Sequence, residues 1–239
     1  MKTLSNHTLV YDSECPMCDL YTRGFIKTGM LDRNGRVAYG NAKVPVTFDN
    51  TRARNEIALI DYDNGTVTYG LDSLIKVIAN SFPGLGKLLK LSCVRAPLDV
   101  LYSFISYNRK VIAPPKVFER RGSCTPEYRV GYRIAYIVFA WLVTSLVLSH
   151  WFDLFLVSYI NGVQILFQLA VIQLLAPEKT LHYIGNLMTV VFIASLLLLP
   201  LACLENLPAW MMRTWFAIVM MFAGVLLLRR LRYLELCNN

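Results

Sequence analysis

Four long apolar stretches fill the second half of this 239-residue chain, approximately Ile134 to Trp151, Leu154 to Ala176, Ile184 to Cys203 and Trp210 to Leu228. Each is near the length a helix needs to cross the hydrocarbon core of a bilayer. Buried helices of soluble proteins rarely stay apolar for so long, and four in succession joined by short loops read as a membrane domain. Trp151, Trp210 and Trp215 fall at or near the ends of the stretches, where indole rings settle at the lipid–water interface. About the first hundred residues are mixed in polarity and rich in charge, and the composition changes near Pro114-Pro115. A soluble domain is therefore expected at 1–113, a basic linker at 114–131, a four-span helical domain at 132–232 and a tail at 233–239.

The cations set an expected orientation. Arg120, Arg121, Arg129 and Arg133 precede the first stretch, Lys179 lies between the second and third, and Arg229, Arg230 and Arg232 follow the fourth; only Arg213 falls on the other side. The positive-inside bias then places both termini in the cytoplasm, with a bacterial inner membrane as the expected location. Much of the formal charge of +8 is explained this way, so no nucleic-acid partner is expected. Lys87, Lys90 and Arg95 read as cations resting near anionic lipid. Met1 to His7 is polar and the apolar run after it is short and broken by Asp12, so no secretory signal is expected. Thiols on the cytosolic side are kept reduced, which favours a working dithiol over a structural bridge.

Such a pair is present. Cys15-Pro16-Met17-Cys18 follows a short apolar strand pattern, Leu9-Val10-Tyr11, and opens a helical pattern running to about Lys27. Unpaired N–H groups and the positive dipole end of a helix start favour thiolate at Cys15, and Cys18, one turn on, is placed to resolve a mixed disulfide. Pro16 suits the first turn, where its missing N–H costs nothing. Against this, Glu14 and Asp19 would oppose thiolate formation, and free cysteine is also a common core residue. Zinc is a weaker alternative, because Cys93, Cys124, Cys203 and Cys237 occur singly and complete no tetrahedral set.

Further along, Val37 to Tyr39 reads as a strand, and Glu56 to Tyr62 and Thr66 to Tyr69 flank Asp63-Asn64-Gly65, a strong signal for an antiparallel hairpin. Leu71, Leu74, Ile75 and Ile78 recur at helical spacing, as do Leu98, Leu101, Tyr102 and Ile105, and both stripes read as core faces. Strand, helix headed by the cysteine pair, strand, hairpin and closing helix is the element order of a thioredoxin-like α/β fold.

The run L-V-Y-D-S-E-C-P-M-C (Leu9 to Cys18) resembles the opening motif of the DCC family of thiol-disulfide oxidoreductases, named for its Asp-x-x-Cys-x-x-Cys signature. Y-G-L-D-S-L (Tyr69 to Leu74), P-G-L-G-K-L-L-K-L (Pro83 to Leu91) and L-Y-S-F-I-S-Y-N-R-K (Leu101 to Lys110) are similar to later stretches of the same family, so the resemblance covers about the first 110 residues. It implies a redox site made of Asp12, Cys15 and Cys18, with Asn108-Arg109 matching the family's late Asn-Arg. In that site Cys15 is the expected nucleophile and Cys18 the resolving thiol. Asp12 would relay a proton or, as the preferred reading, cap the helix. Arg109 would pair with Asp12 or hold a substrate carboxylate.

One departure from thioredoxin-like proteins is legible. They place a cis-proline against the dithiol just before the hairpin, whereas here the chain reads Arg52-Ala53-Arg54-Asn55-Glu56, and Pro45 lies too early to substitute. In the membrane half, Asn161, Gln164 and Gln168 share one helical face, and Asn186 and Thr189 lie in the next span. They read as groups that bond adjacent helices, or as the lining of a small-ligand or quinone pocket. His150 and His182 read as interfacial, and Cys124 as a third relay thiol only if it lies over the pair.

The sequence thus points to a membrane-anchored thiol-disulfide oxidoreductase acting on a disulfide-containing protein or small thiol. No cofactor is expected, because there is neither a G-x-G-x-x-G after a strand nor a P-loop, so a separate electron donor is required. The alternative is a non-catalytic membrane protein whose thioredoxin-like domain binds a partner or senses redox state.

Overall fold

In the computed structural model, residues 2–41, 46–114, 126–150, 153–175, 179–204 and 208–236 are described. Pro45, Arg120, Arg121, Cys124, Trp151 and Cys237, and the side chain of Cys203, lie outside the described residues. The chain divides into two compact units, Met1–Arg129 and Val130–Asn239.

The first unit is built on a four-stranded mixed sheet. Its elements run β1 (His7–Tyr11), α1 (Pro16–Lys27), β2 (Arg36–Ala38), α2 (Asn50–Asn55), β3 (Ala58–Asp61), β4 (Thr66–Tyr69), α3 (Gly70–Ser81), α4 (Pro83–Leu89) and α5 (Ser92–Ile112). Strand order is β2-β1-β3-β4, with β1 parallel to β2 and antiparallel to β3, and β3 antiparallel to β4. This is the thioredoxin-like arrangement that the element order predicts. The two central strands are buried on both faces, and the period-two alternation of side chains separates two cores. Leu9, Leu59, Leu31 and Val77 pack on one side; Val10, Ala58, Ile60 and Ala53 pack on the other.

Local chemistry fixes the ends of these elements. The hairpin turns at Gly65, whose φ of 63° suits glycine, and the Asp61 carboxylate accepts the N–H groups of Asp63 and Asn64 at 3.1 and 3.2 Å. Lys76 donates to the same carboxylate at 2.8 Å and holds it well below the usual carboxylate range, assisted by Asn64 and opposed by burial. Asp49 caps α2 through bonds from Thr51 and Arg52. Both α2 and α4 are too short to leave a periodic signal, and the sequence reading has neither.

The stripe read as a core face on α5 differs from the observed one. Leu101 and Ile105 are 50% and 39% exposed, and the helix buries Ser106, Asn108, Arg109 and Val111 instead. Its inner face meets the backbone from Arg54 to Ile57, where Tyr102, Ser106 and Arg109 supply polar partners that a leucine face could not.

The second unit contains α6 (Val130–Leu148), α7 (Leu154–Leu175), α8 (Thr180–Cys203) and α9 (Ala209–Leu236), each long and apolar enough to cross a membrane. α8 packs against the other three and is the most buried. The intramembrane polar groups bond neighbouring helices: Tyr136 with Thr189 at 2.7 Å, Asn161 with Ser145 at 3.2 Å and Tyr183 with Gln168 at 3.1 Å. Gln164, by contrast, is exposed. Arg133 and Arg230, read above as flanking cations, are buried, and Arg230 donates to Asn186 at 3.0 Å.

Gly86 lets α4 lie directly on α3, because a Cβ there would sit 2.3 Å from the Ala79 Cβ. Gly86→Ala should therefore cost ~1–3 kcal/mol through overpacking. Faster amide exchange confined to α4 and the end of α3 is the expected readout.

Candidate dithiol site

Residues Asp12 to Cys15 carry the chain from the end of β1 to the start of α1. Asp12 closes this crossing: its Oδ1 accepts the Glu14 N–H at 3.1 Å and its carbonyl accepts the Cys15 N–H at 3.3 Å. Cys15 is thereby held at the N-cap of α1 with extended angles, φ −80° and ψ 113°, and Pro16 follows in the first turn. No side-chain hydrogen bond caps the helix. The backbone N–H of Cys18 nevertheless favours a charged sulfur at Cys15, as the positive end of a helix does.

Asp12 therefore does not cap α1, as the preferred reading had it. A carboxylate three residues ahead of the N-cap is spent on the turn and on Arg109, whose Nη2 lies 3.4 Å from Asp12 Oδ2. Both partners of this ion pair are about 95% buried, at 6% and 5% side-chain exposure. Arg109 also donates to the Arg54 carbonyl at 2.8 Å, and the Ser106 hydroxyl donates to the Asn55 carbonyl. The segment preceding β3 is thus tied down by α5. It contains no proline, and among the described residues there is no cis peptide bond.

Cys15 and Cys18 are both free thiols, 4% and 9% exposed. The Cys18 S–H donated to the Cys15 sulfur is the main reason that the Cys15 thiol falls to about 6. Burial pulls against this shift; the Cys18 N–H and the charge of Arg109 favour it, and Asp12 opposes it. The Cys18 thiol is pushed far up, first by the same bond, which retains its proton, and then by burial. The two sulfurs are moved in opposite directions, Cys15 toward thiolate and Cys18 toward thiol. Asp19, expected to work against the thiolate, is instead engaged by Arg23 and Arg36, each at 2.9 Å.

A cavity of about 190 Å³ lies beside Cys18. Val10, Met17, Ile57, Leu74, Tyr102 and Ile105 supply most of its wall, with Asp12, Ser106 and Arg109 as polar points. Ile105 is 39% exposed, so the wall reaches the surface on that side. Tyr21, one turn beyond Cys18, lines the same cavity, and burial, followed by Cys18, pushes the Tyr21 hydroxyl well up. Sequence reasoning missed Tyr21, Tyr102 and Ser106 as site residues. The signal available was the spacing of Tyr102, Ser106 and Arg109, which puts three polar groups on one helical face.

Among the described residues, the one cluster with metal-ligand spacing is His7, Asp61 and Asp63, at the far end of β1 from the cysteines. Its Asp61 is already paired with Lys76. No protein-family model, curated protein or solved structure matches the chain.

The Cys15 charge environment gives signed expectations. Its alkylation rate should rise through about pH 6 and level off above it. Arg109→Gln should move that midpoint up, because a cation favouring the thiolate is lost. Asp12→Asn should move it down, because an opposing anion is lost. Iodoacetamide rate profiles of the three proteins measure both shifts.

Proposed function

We propose that this protein is a membrane-anchored thiol–disulfide oxidoreductase in which Cys15 and Cys18 cycle between dithiol and disulfide. The observation that carries the reading is the placement of two free thiols, Cys15 at the N-cap of α1 and Cys18 one turn on beside a cavity, with the charge of Arg109 favouring the Cys15 thiolate. The resemblance of Leu9 to Cys18 to the DCC signature, and the α/β domain that presents it, support the same reading.

In the reductive direction the Cys15 thiolate attacks one sulfur of a disulfide R–S–S–R′, forming the mixed disulfide Cys15 Sγ–S–R and expelling R′–S⁻, which takes a proton from water. The Cys18 sulfur then attacks Cys15 Sγ as its proton passes to the departing R–S⁻, which leaves as R–SH, and a Cys15–Cys18 disulfide remains. Two electrons have passed from the dithiol to the substrate. A separate dithiol donor must return them. Asp12 and Arg109 act behind the sulfurs: Arg109 stabilises thiolate, while Asp12 holds Arg109 and shapes the turn. Substrates are a disulfide-containing protein or a small thiol in its oxidised form, and the cavity beside Cys18 is where the group bonded to Cys15 is received. The excess of Lys and Arg on one side of the four helices supports an orientation with both termini, and the dithiol, on the cytoplasmic side of a bacterial inner membrane.

Cys18→Ser should trap the substrate on Cys15 as a mixed disulfide identifiable by mass spectrometry, and Cys15→Ser should abolish turnover. Traps that stay empty across growth conditions, with Cys15→Ser/Cys18→Ser retaining the cellular role, would establish a binding module instead. Orientation has its own reporter, since Cys93 is free and exposed. An impermeant maleimide should label it in inverted vesicles and leave it unlabelled in intact cells.

A further inference from the structure

The turn from α3 into α5 carries a surface that neither the fold nor the dithiol uses. Phe82, Leu85, Leu88 and Leu91 recur at every third position and are 43%, 45%, 49% and 52% exposed. Large apolar side chains scattered singly need no explanation, but a row of four from the residue before α4, through Leu85 and Leu88 within it, to Leu91 at the head of α5 does. The row is set by the way α4 docks. Gly86 is buried against Ala79, so that side of the helix is committed to α3. At about 100° per residue, Leu88 lies about 200° round the helix from Gly86, and Leu85 and Lys87 flank it. The exposed face is therefore built outward by the same contact that fixes the helix.

Charge accompanies this row. Lys87 and Lys90 are exposed beside it, and neither forms an ion pair among the described residues. α4 has no acidic residue in its first turn, and the nearest carboxylates, Asp72 and Asp99, are both engaged by Arg95. Leucine and phenylalanine on one face with lysines at its border is the composition of a segment lying in a lipid interface, its apolar side chains among acyl chains and its ammonium groups at anionic headgroups. The chain also guarantees the partner. It carries four helices able to span a bilayer, and the first of them, α6, begins at Val130, directly after the last residue of the soluble unit. A lipid surface is always within range of the soluble unit, at a local concentration no freely diffusing protein partner would match.

We propose that α4 is a membrane-docking helix: the face formed by Phe82, Leu85, Leu88 and Leu91 inserts shallowly into the leaflet and Lys87 and Lys90 bind anionic lipid headgroups. This holds whichever electrons the dithiol carries, because nothing in it involves Cys15 or Cys18. Docking would fix the direction from which a partner reaches the site.

The test uses the full chain in nanodiscs containing phosphatidylglycerol, with a polarity-sensitive fluorescent amino acid placed at position 88 or, as a control, at the exposed position 33 beside the far edge strand β2. Emission from position 88 should be shifted to the blue, quenched by lipid carrying a spin label in its acyl chain and protected from aqueous iodide. Position 33 should show the reverse. Lys87→Glu/Lys90→Glu, at two exposed positions that leave the fold intact, should lose the lipid quenching, as should exchange of phosphatidylglycerol for phosphatidylcholine at raised salt. Water-like, iodide-accessible emission from position 88 would overturn the proposal. So would blue-shifted emission that spin-labelled lipid does not quench, since that outcome means the face is covered by protein.

Discussion

Arg109 is the interaction on which the soluble unit turns. A guanidinium as buried as this one is costly, and the desolvation of each ion of a buried pair amounts to several kcal/mol. The cost is offset because its donors are distributed: one nitrogen faces Asp12 at the end of β1 and bonds the Arg54 carbonyl, and the other is directed at Asn55 and Ser106. Three pieces of chain distant in sequence, the turn before α1, the segment before β3 and the last turns of α5, therefore meet at one cation. Its positive charge also lies close enough to Cys15 to favour the thiolate. Structure and chemistry share a single side chain here, and a lysine, with one compact ammonium, could not make the same divergent set of bonds.

How much of this was readable in the chain follows from what each signal depends on. The sheet was legible because period-two apolar alternation and an Asp-Asn-Gly turn are local properties, and β1, β2, the hairpin and α1 lie within a few residues of their predicted places. The four long helices were legible because bilayer thickness imposes a length. By contrast, α5 presents Ser106 and Arg109 inward and leaves Leu101 half exposed, a choice dictated by two carbonyl groups some fifty residues earlier. No local pattern contains that information. Asp12 divides the same way: the resemblance implied its pairing with Arg109, which the structure has, while its position before the helix suggested a cap that the turn to Glu14 takes instead.

The pairing inside the membrane unit answers one question that the sequence left open. Asn161, Gln168 and Thr189 are each bonded to a side chain on a neighbouring helix. In a medium without water, such bonds replace hydration that the polar group would otherwise forgo, at about 0.6–2 kcal/mol apiece. They also impose register, because an amide bonds only where a hydroxyl stands opposite. The apolar contact of Ala140, Ile184 and Met188 could slide by a turn with little loss, and the polar pairs cannot.

The same geometry would constrain the substrates of the proposed redox site. In an open thioredoxin-like site, the backbone preceding the hairpin is free to bond an extended substrate. Here the carbonyls of Arg54 and Asn55 already accept bonds from α5, and Cys15 is almost fully covered. A long peptide laid across the dithiol would have to displace the Arg109 and Ser106 bonds first, leaving a buried cation short of acceptors. Access from the side of Cys18 meets no such barrier, because the cavity there is walled by apolar side chains whose contacts a ligand can replace in kind. A compact substrate, or a single side chain projecting from a larger one, suits that entrance better than a strand of backbone. Arg109 lines the same cavity, so a thiolate formed there would lie near its charge.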